Sequence, residues 1–248
     1  MKILIINPNI SQDVTALIEK EAKRTADRDT EIIMETAPFG VEYIETRMEA
    51  VIAGYACSCV AAERYGQYDG VVIAAFGDPG LTGVKELLNV PVVGMTEAAL
   101  ASACLLGQRF SIIAISDRIA PWYRETVERS HLSTRLASIR SLKDPLKNVG
   151  TVQEDYTDRL LEMCKEAVQK DGADVIILAG APLAGLARSL EGKISVPVVD
   201  GVSSAVKHCE SLVKLGPGIA AEGSFAKPPV KPNKGLPEKL AAILNRTC

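Results

Sequence analysis

Histidine, tryptophan and closely spaced cysteine pairs are scarce in this chain, and their scarcity excludes several classes of function. The 248 residues include two histidines, one tryptophan and 4% aromatic residues. His131 and His208 lie far apart, and no C-x-x-C spacing links any two of the six cysteines. We therefore expect no metal site. The 28 basic residues are interleaved with 31 acidic ones, giving a formal net charge of −3. This pattern predicts no nucleic-acid partner.

Long hydrophobic runs are also lacking. No run approaches the ~20 apolar residues that a membrane-spanning helix requires, so we expect no membrane partner. The first residues, MKILIINPN, carry one lysine before a short apolar run, which predicts a buried first strand rather than a signal peptide. Most cysteines lie in Ala-rich helical stretches, as is typical of reduced, buried thiols. We therefore predict a cytoplasmic protein.

An internal repeat is the most informative feature that is present. The segment Asp69–Leu81 aligns without gaps on Asp174–Leu186, and VPVVG at Val90–Gly94 recurs as VPVVD at Val196–Asp200. In this alignment Ala75 matches Gly180. Repeated α/β halves usually pack around a ligand cleft between matching strand ends. The repeat therefore predicts a cleft beside these two positions.

The alternation of short apolar strands with helices predicts an α/β fold with two pseudo-symmetric flavodoxin-like halves and parallel sheets. We place the N-terminal half at 1–105 and the C-terminal half at 106–216, and expect the tail, 217–248, to pack back on the first half. Val90–Val93 is predicted to be a strand and Asp117–Glu128 a helix. Thr151 and Glu154 are predicted to form a capping box.

Several segments resemble the aspartate/glutamate racemase superfamily, and within it the hydantoin (allantoin) racemase branch. They are INPN at Ile6–Asn9 with Ser11, AFGDPGL at Ala75–Leu81, VPVVGMTEAA at Val90–Ala99, GQRFSII at Gly107–Ile113, LAGAPLAGL at Leu178–Leu186, VPVVDGV at Val196–Val202 and the KPP…KPNKGL tail. The resemblance spans nearly the full length and implies the fold, a small-molecule substrate and cofactor-free chemistry. Family racemases use two cysteines, which would fall at Ala75 and Gly180. The resemblance therefore does not imply the two-thiol reaction.

Substrate-binding residues are predicted in the first half after the first strand. The side chains of Asn7, Asn9 and Ser11, with backbone N–H groups at the helix start, can hold a carboxylate or imide oxygen. The alternative is ordinary turn and helix-cap chemistry, for which these residue types are equally suited.

The loops at the matched positions supply further candidates. Backbone N–H groups of Ala75, Phe76 and Gly77 can point at a developing enolate oxygen. Asp78 is a candidate acid or base that requires a raised pKa, and its alternative role is a helix cap. In the second half the corresponding residues are Gly180 and Ala181, and Pro182 either depletes that anion pocket or simply starts a helix.

Aromatic residues complete the set of candidates. Tyr43, within APFGVEYIETR, lies where family members tend to place a substrate-covering loop, and its hydroxyl can donate to a substrate oxygen. The alternative is a packed, partly buried ring. Trp122 and Tyr123 either wall the cleft or pack in the core.

These observations predict a cofactor-independent enzyme that acts at an acidic α-carbon of a small carbonyl or carboxylate compound. Two alternatives stay open: a C–C lyase or decarboxylase that works through an enolate, and a non-catalytic ligand-binding relative. A closed homo-oligomer is the default for such enzymes.

Overall fold

The structure, a computed structural model, describes residues 1–143, 146 and 148–247. Two four-stranded sheets, each wholly parallel, form its two halves. The first contains β1 (Lys2–Asn7), β2 (Glu31–Thr36), β3 (Gly70–Ile73) and β4 (Val92–Gly94), in the order β2-β1-β3-β4. The second contains β5 (Phe110–Ala114), β6 (Leu136–Ser141), β7 (Val175–Leu178) and β8 (Val198–Asp200), in the order β6-β5-β7-β8. The predicted fold class is confirmed.

The helices follow the strands in sequence. They are α1 (Gln12–Thr25), α2 (Arg47–Glu63), α3 (Leu81–Leu87), α4 (Met95–Leu106), α5 (Ala120–Arg129), α6 (Val152–Asp171), α7 (Leu186–Ser189), α8 (Gly201–Leu215) and α9 (Glu238–Asn245). Local side chains fix the starts of α1 and α2. Ser11 Oγ accepts from Val14 N at the start of α1, and Thr46 and Glu49 form a reciprocal capping box at the start of α2. These contacts satisfy N–H groups that have no partner within the helix.

Two helices are exchanged between the halves. The helix α8 follows the second sheet along the chain, yet it packs on β3 and β4 of the first sheet and on α1. The helix α4 follows the first sheet and packs on β7 of the second. Cys209 of α8 reaches β3, where its Sγ lies 3.9 Å from Val71 O. One hydrophobic core therefore runs through both halves.

The C-terminal residues return to the first half. The helix α9 packs on α2, and its Leu240 and Ile243 are buried in a cluster with Leu4 and Cys57. In the described part of the chain, no helix is both long and apolar enough to cross a bilayer.

Three local predictions differ from the structure. Val92–Gly94, not Val90–Val93, forms β4. The segment predicted as one helix begins with a 3₁₀ turn at Asp117–Ile119, capped by Ser116, before α5. The predicted capping box is wrong, since the Thr151 hydroxyl donates to the Asp155 carboxylate instead.

Candidate functional site

The two matched positions of the repeat lie at equivalent strand ends. Ile73 of β3 pairs with Ile6 of β1, and Leu178 of β7 pairs with Ile113 of β5. Residues 75 and 180 each follow two positions later, beyond the carboxyl ends of the strands. In parallel α/β sheets this edge is where ligands bind.

The side chain of Tyr123, on α5, lies between the two strand ends. Its ring packs on Phe76 with a centroid separation of 4.6 Å. Its hydroxyl lies 3.9 Å from the point that a Cβ on Gly180 would occupy. The strand ends therefore face each other across one phenol, whose pKa is raised by burial and by electrostatic interaction with Tyr43, Asp78 and Glu45. The sequence left Tyr123 as either a cleft wall or a core residue, because only the packing of the two halves places its side chain between the strand ends.

The turn after β1 is held by the side-chain amides of Asn7 and Asn9. Asn7, fully buried, donates through Nδ2 to Asn9 Oδ1, Ser11 O and Thr15 Oγ1, and its Oδ1 accepts from Asn9 N. The Asn7 amide thus holds the turn. Asn9 Oδ1 also accepts from Ser11 N, which leaves Asn9 Nδ2 without a partner among the described residues. Asn9 Nδ2 therefore remains available as a donor.

Tyr43 is carried over this turn by the segment 37–46, which is tethered by a 3.0 Å hydrogen bond from Ile10 N to Val41 O. Its ring is partly exposed, yet its hydroxyl is buried and has no hydrogen-bond partner among the described residues. Burial, with the charges of Glu45 and Glu49, raises the pKa of Tyr43 well above its usual value. The hydroxyl is therefore protonated at neutral pH and able to donate.

The loop after β3 is anchored to the start of α4. Gly77 N donates to Thr96 Oγ1 at 2.6 Å, so this N–H group is already occupied. The N–H groups of Ala75 and Phe76 donate to no acceptor among the described residues. Gly77 itself, with φ of +102°, packs against Trp122, where a Cβ would lie 2.3 Å from the indole ring.

Asp78 ends this loop in a left-handed conformation with φ of +50°. Its carboxylate accepts from Thr96 N at 2.8 Å and from Glu97 N at 2.9 Å, both at the start of α4. Burial raises the pKa of Asp78 to about 7, although these hydrogen bonds act in the opposite direction and the Glu97 charge adds to the rise. Asp78 thus combines the raised pKa that an acid or base requires with the contacts of a helix cap.

In the second half, the loop after β7 offers backbone groups rather than polar side chains. Gly180 has φ of +114°, and Ala181 and Pro182 open a buried 3₁₀ turn, Ala181–Leu183, that packs against α1. The N–H groups of Gly180 and Ala181 donate to no acceptor within the described residues. Pro182 is the second residue of this turn, one position after the helix start that was one of its two predicted roles.

Two cavities open beside the loop after β3 and the segment that carries Tyr43. One of about 710 Å³ lies between α2, α5 and the loop after β3, and Gly77, Asp78 and Trp122 line it. The other, of about 700 Å³, is lined by Tyr43, Arg118 and the acidic residues Glu42, Glu45 and Asp117. Neither cavity is lined by Ala75 or Gly180. Ala75, Phe76 and Tyr123 are buried, whereas Gly180 is partly exposed.

Cysteine lies away from these strand ends in the described residues. Cys57 and Cys59 are on α2, Cys104 on α4, Cys164 on α6 and Cys209 on α8. Burial raises the pKa of Cys57, Cys164 and Cys209 to about 12, which makes these thiols inert. Within the described chain, no group of three or more His, Cys, Asp or Glu residues could hold a metal ion.

Comparison with known proteins agrees with this geometry. Residues 3–209 match the family model described as Asp/Glu/Hydantoin racemase. A hydantoin racemase from Paenarthrobacter aurescens is 37% identical, with 93% of this chain and 99% of that protein covered. The chain belongs to this family.

Solved structures of the family share the architecture. The allantoin racemase from Klebsiella pneumoniae superposes with a TM-score of 0.92 at 34% identity, covering 97% of this chain and 98% of that one. An arylmalonate decarboxylase variant has a TM-score of 0.69 at 18% identity, covering 90% of this chain and 97% of that one, and shows the shared fold alone. Family membership places this chain among racemase-type isomerases.

Proposed function

We propose that this protein is a cofactor-independent enzyme that acts at the acidic α-carbon of a small uncharged carbonyl compound, of the hydantoin or ureide type, without catalytic thiols. The observation that carries the proposal is the buried, unpaired hydroxyl of Tyr43. A buried polar group without a partner is costly, and its position beside the strand ends is explained by a ligand oxygen that accepts from it. The named relatives act on hydantoin and allantoin, which present such oxygens.

The charge of the site supports an uncharged ligand. None of the candidate site residues is a lysine or arginine; they are Asn7, Asn9, Ser11, Tyr43, Ala75, Phe76, Gly77, Asp78, Gly180 and Ala181. Arg118 and Lys143 line the cavity beside Tyr43, but they share it with the carboxylates of Glu42, Glu45 and Asp117. Burying a carboxylate without a cation is expensive, whereas an imide or ureide oxygen needs only neutral donors. The unpaired N–H groups of Ala75 and Phe76, with Asn9 Nδ2, supply such donors.

Proton transfer in this enzyme differs from the family reaction. If the resemblance of AFGDPGL and LAGAPLAGL to family motifs holds residue by residue, the family's catalytic cysteines would fall at Ala75 and Gly180, where this chain has no side chain that can transfer a proton. We propose that Tyr43 donates a hydrogen bond to the enolate oxygen as negative charge develops there. Water then removes and returns the α-proton, since the raised pKa of Tyr43 prevents this phenol from acting as a base at neutral pH.

Exchange of the substrate α-hydrogen in deuterated water tests this function. We expect 5-substituted hydantoins or allantoin to exchange about 100-fold faster with enzyme than in buffer, since a well-placed donor contributes this much. The Tyr43→Phe variant should lose most of that gain. The proposal is wrong if a panel of hydantoins, ureides and amino acids shows neither exchange nor binding.

Introducing a cysteine at a matched position tests whether this chain keeps the family's binding pocket and differs only in its proton-transfer groups. We expect Ala75→Cys to raise the exchange rate by about 10- to 100-fold, because a positioned thiolate is a better base than water. Gly180→Cys should cost about 1–3 kcal/mol of stability, because φ of +114° is a strained conformation for any residue with a side chain. Unfolding in urea checks the second expectation. An Ala75→Cys variant that folds but exchanges no faster would show that the pocket itself has changed.

A lyase that works through an enolate is the second candidate. Donors without an evident base suit decarboxylation or retro-aldol cleavage, in which a C–C bond breaks and no α-proton has to be removed. Release of carbon dioxide or an aldehyde from candidate malonates and β-hydroxy acids, with racemic product, would favour it. Thermal stabilisation by these ligands without any turnover would instead indicate a non-catalytic binding relative.

We also propose that the enzyme works in the cytoplasm as a homo-oligomer. Exposed apolar residues line one face of α2, where Met48, Val51 and Tyr55 lie beside Phe39. A second copy of the chain would cover this face. Light scattering of the purified protein should show a mass that is a multiple of 26.5 kDa.

A further inference from the structure

Each half of the molecule contains one carboxylate that joins a strand-end loop to an exchanged helix. In the first half, Asp78 lies in the loop and accepts from Thr96 N and Glu97 N of α4. In the second half, Asp200 caps α8 by accepting from Ser203 N at 2.9 Å, and it also accepts from Gly185 N of the loop at 2.6 Å. The two carboxylates therefore make the same connection.

These two aspartates come from different places in the repeat. Asp200 pairs with Leu178 at the end of β8, and the residue that pairs with Ile73 at the end of β4 is Gly94. Gly94 is therefore the counterpart of Asp200. A Cβ built on Gly94 would lie 2.4 Å from Asp78 Cγ. The Asp78 carboxylate thus fills the space that a side chain at position 94 would occupy.

We propose that Asp78 and Asp200 are equivalent positioning residues. Each supplies the carboxylate that holds a strand-end loop against the start of an exchanged helix, although the two aspartates occupy different positions in the repeat. Asp78 holds the loop that carries Ala75 and Phe76, and Asp200 holds the loop after Gly180 and Ala181. The role assigned to these loops rests on the proposed function, because their unpaired N–H groups are the donors that would face the substrate.

Both oxygens of Asp78 accept from backbone N–H groups, so Asp78 acts through the loop rather than on the substrate. Three neighbouring groups, Glu97, Lys85 and Tyr123, influence the ionisation of the Asp78 carboxylate. Glu97 on α4 is paired with Lys85 on α3 at 2.7 Å, and Tyr123 on α5 interacts electrostatically with Asp78. Burial likewise raises the pKa of Asp200, with a contribution from Glu21 of α1.

Exchanging two residues tests the equivalence directly. The double variant Asp78→Gly with Gly94→Asp moves the carboxylate from the loop to the helix cap, as in the second half, and leaves composition and net charge unchanged. Both substitutions suit their backbone: position 78 has φ of +50°, which glycine adopts freely, and position 94 has φ of −85° and ψ of 146°, which is ordinary for a capping aspartate.

The single tryptophan of the chain reports on the loop, because Trp122 packs directly on Gly77. We expect Asp78→Gly alone to shift the tryptophan emission, increase its quenching by acrylamide and lower the unfolding temperature by about 2–6 °C. The double variant should return all three to near their starting values. Asp200→Asn serves as the control, since it loosens the other loop and should leave Trp122 emission unchanged.

Unchanged Trp122 emission and quenching in Asp78→Gly would overturn the proposal, as would a double variant that behaves like the single one. If Asp78→Gly does not fold, recovery of folding in the double variant supports the proposal, and failure of both overturns it. No substrate enters these measurements. Absence of hydantoin exchange in the wild type therefore bears on the proposed function alone, whereas failed recovery in an active enzyme bears on Asp78 alone.

Discussion

The hydroxyl group of Tyr43 lowers the stability of the unliganded protein but is available to bind a ligand. The hydroxyl is buried without a partner among the described residues, so it costs free energy in the unliganded fold. Tyr68 offers the opposite case, since its buried hydroxyl donates to Ala61 O at 2.9 Å. The two tyrosines therefore allow a matched comparison.

At this scale we expect Tyr43→Phe to raise the free energy of unfolding by up to about 1 kcal/mol, because an unsatisfied polar group is removed. Tyr68→Phe should lower it by about 1 kcal/mol, because a formed hydrogen bond is lost. Urea denaturation measures both, and ligand binding should weaken in Tyr43→Phe alone. A Tyr43→Phe variant that is clearly less stable would mean that the hydroxyl is satisfied in solution.

At the scale of elements, the loop after β3 is fixed from two sides. The start of α4 holds it through Asp78 and Thr96. On the other side α2 approaches so closely that a Cβ on Gly54 would lie 2.9 Å from Gly80 Cα. The segment that carries Tyr43 leads directly into α2, so the same helix supports both parts of the candidate site.

Substituting alanine at Gly54 tests this contact. We expect Gly54→Ala to lower the free energy of unfolding by about 1–3 kcal/mol, because the added methyl group forces α2 away from the loop. Gly83→Ala, on the open side of α3 with nothing within 4 Å of its Cβ position, should stabilise by about 0.5–1 kcal/mol. Thermal unfolding of the two variants gives the comparison, and equal effects would contradict the contact.

At the scale of the whole molecule, the halves are joined by exchanged helices and by buried carboxylates, of which Glu21 is one and Glu210 another. Glu21 of α1 accepts from Arg188 Nη2 at 2.8 Å and from Ser203 Oγ at 2.5 Å, both in the second half. Burial alone would raise the pKa of Glu21, but its hydrogen bonds to Arg188, Ser203 and Thr25 and the Arg188 charge outweigh it, so the pKa is lowered. The ionised form is therefore favoured by folding.

This gives a pH-dependent prediction. The stabilisation from Glu21 is present above its unfolded-state pKa of 4.5 and is lost as pH falls through the lower folded-state pKa. We expect Glu21→Gln to cost about 1–3 kcal/mol at pH 7, and the difference from wild type to shrink as the solution is acidified below pH ~4.5. Glu31→Gln, in an exposed pair with Lys2, should cost less than about 1 kcal/mol. If the difference in unfolding free energy between Glu21→Gln and wild type does not depend on pH, Glu21 contributes through packing rather than through its charge.

Periodicity and the internal repeat were sufficient to predict the two parallel sheets and the matching strand ends at Ala75 and Gly180. Element boundaries were less well predicted, because Pro91 and the Ser116 cap shift where β4 and α5 begin. Helices α4 and α8 carry apolar faces in sequence, but a periodic pattern does not say which sheet covers that face. The exchange of these helices was therefore not predictable.

The sequence by itself determined the fold class, the family and the absence of cysteine at the two matched positions, because strand patterns, motifs and residue identities are local properties. Only the tertiary structure decided how the site is assembled. Tyr123 reaches Gly180, Asp78 reaches the start of α4, and the Tyr43 hydroxyl is left unpaired, because each of these outcomes depends on distances between segments far apart along the chain.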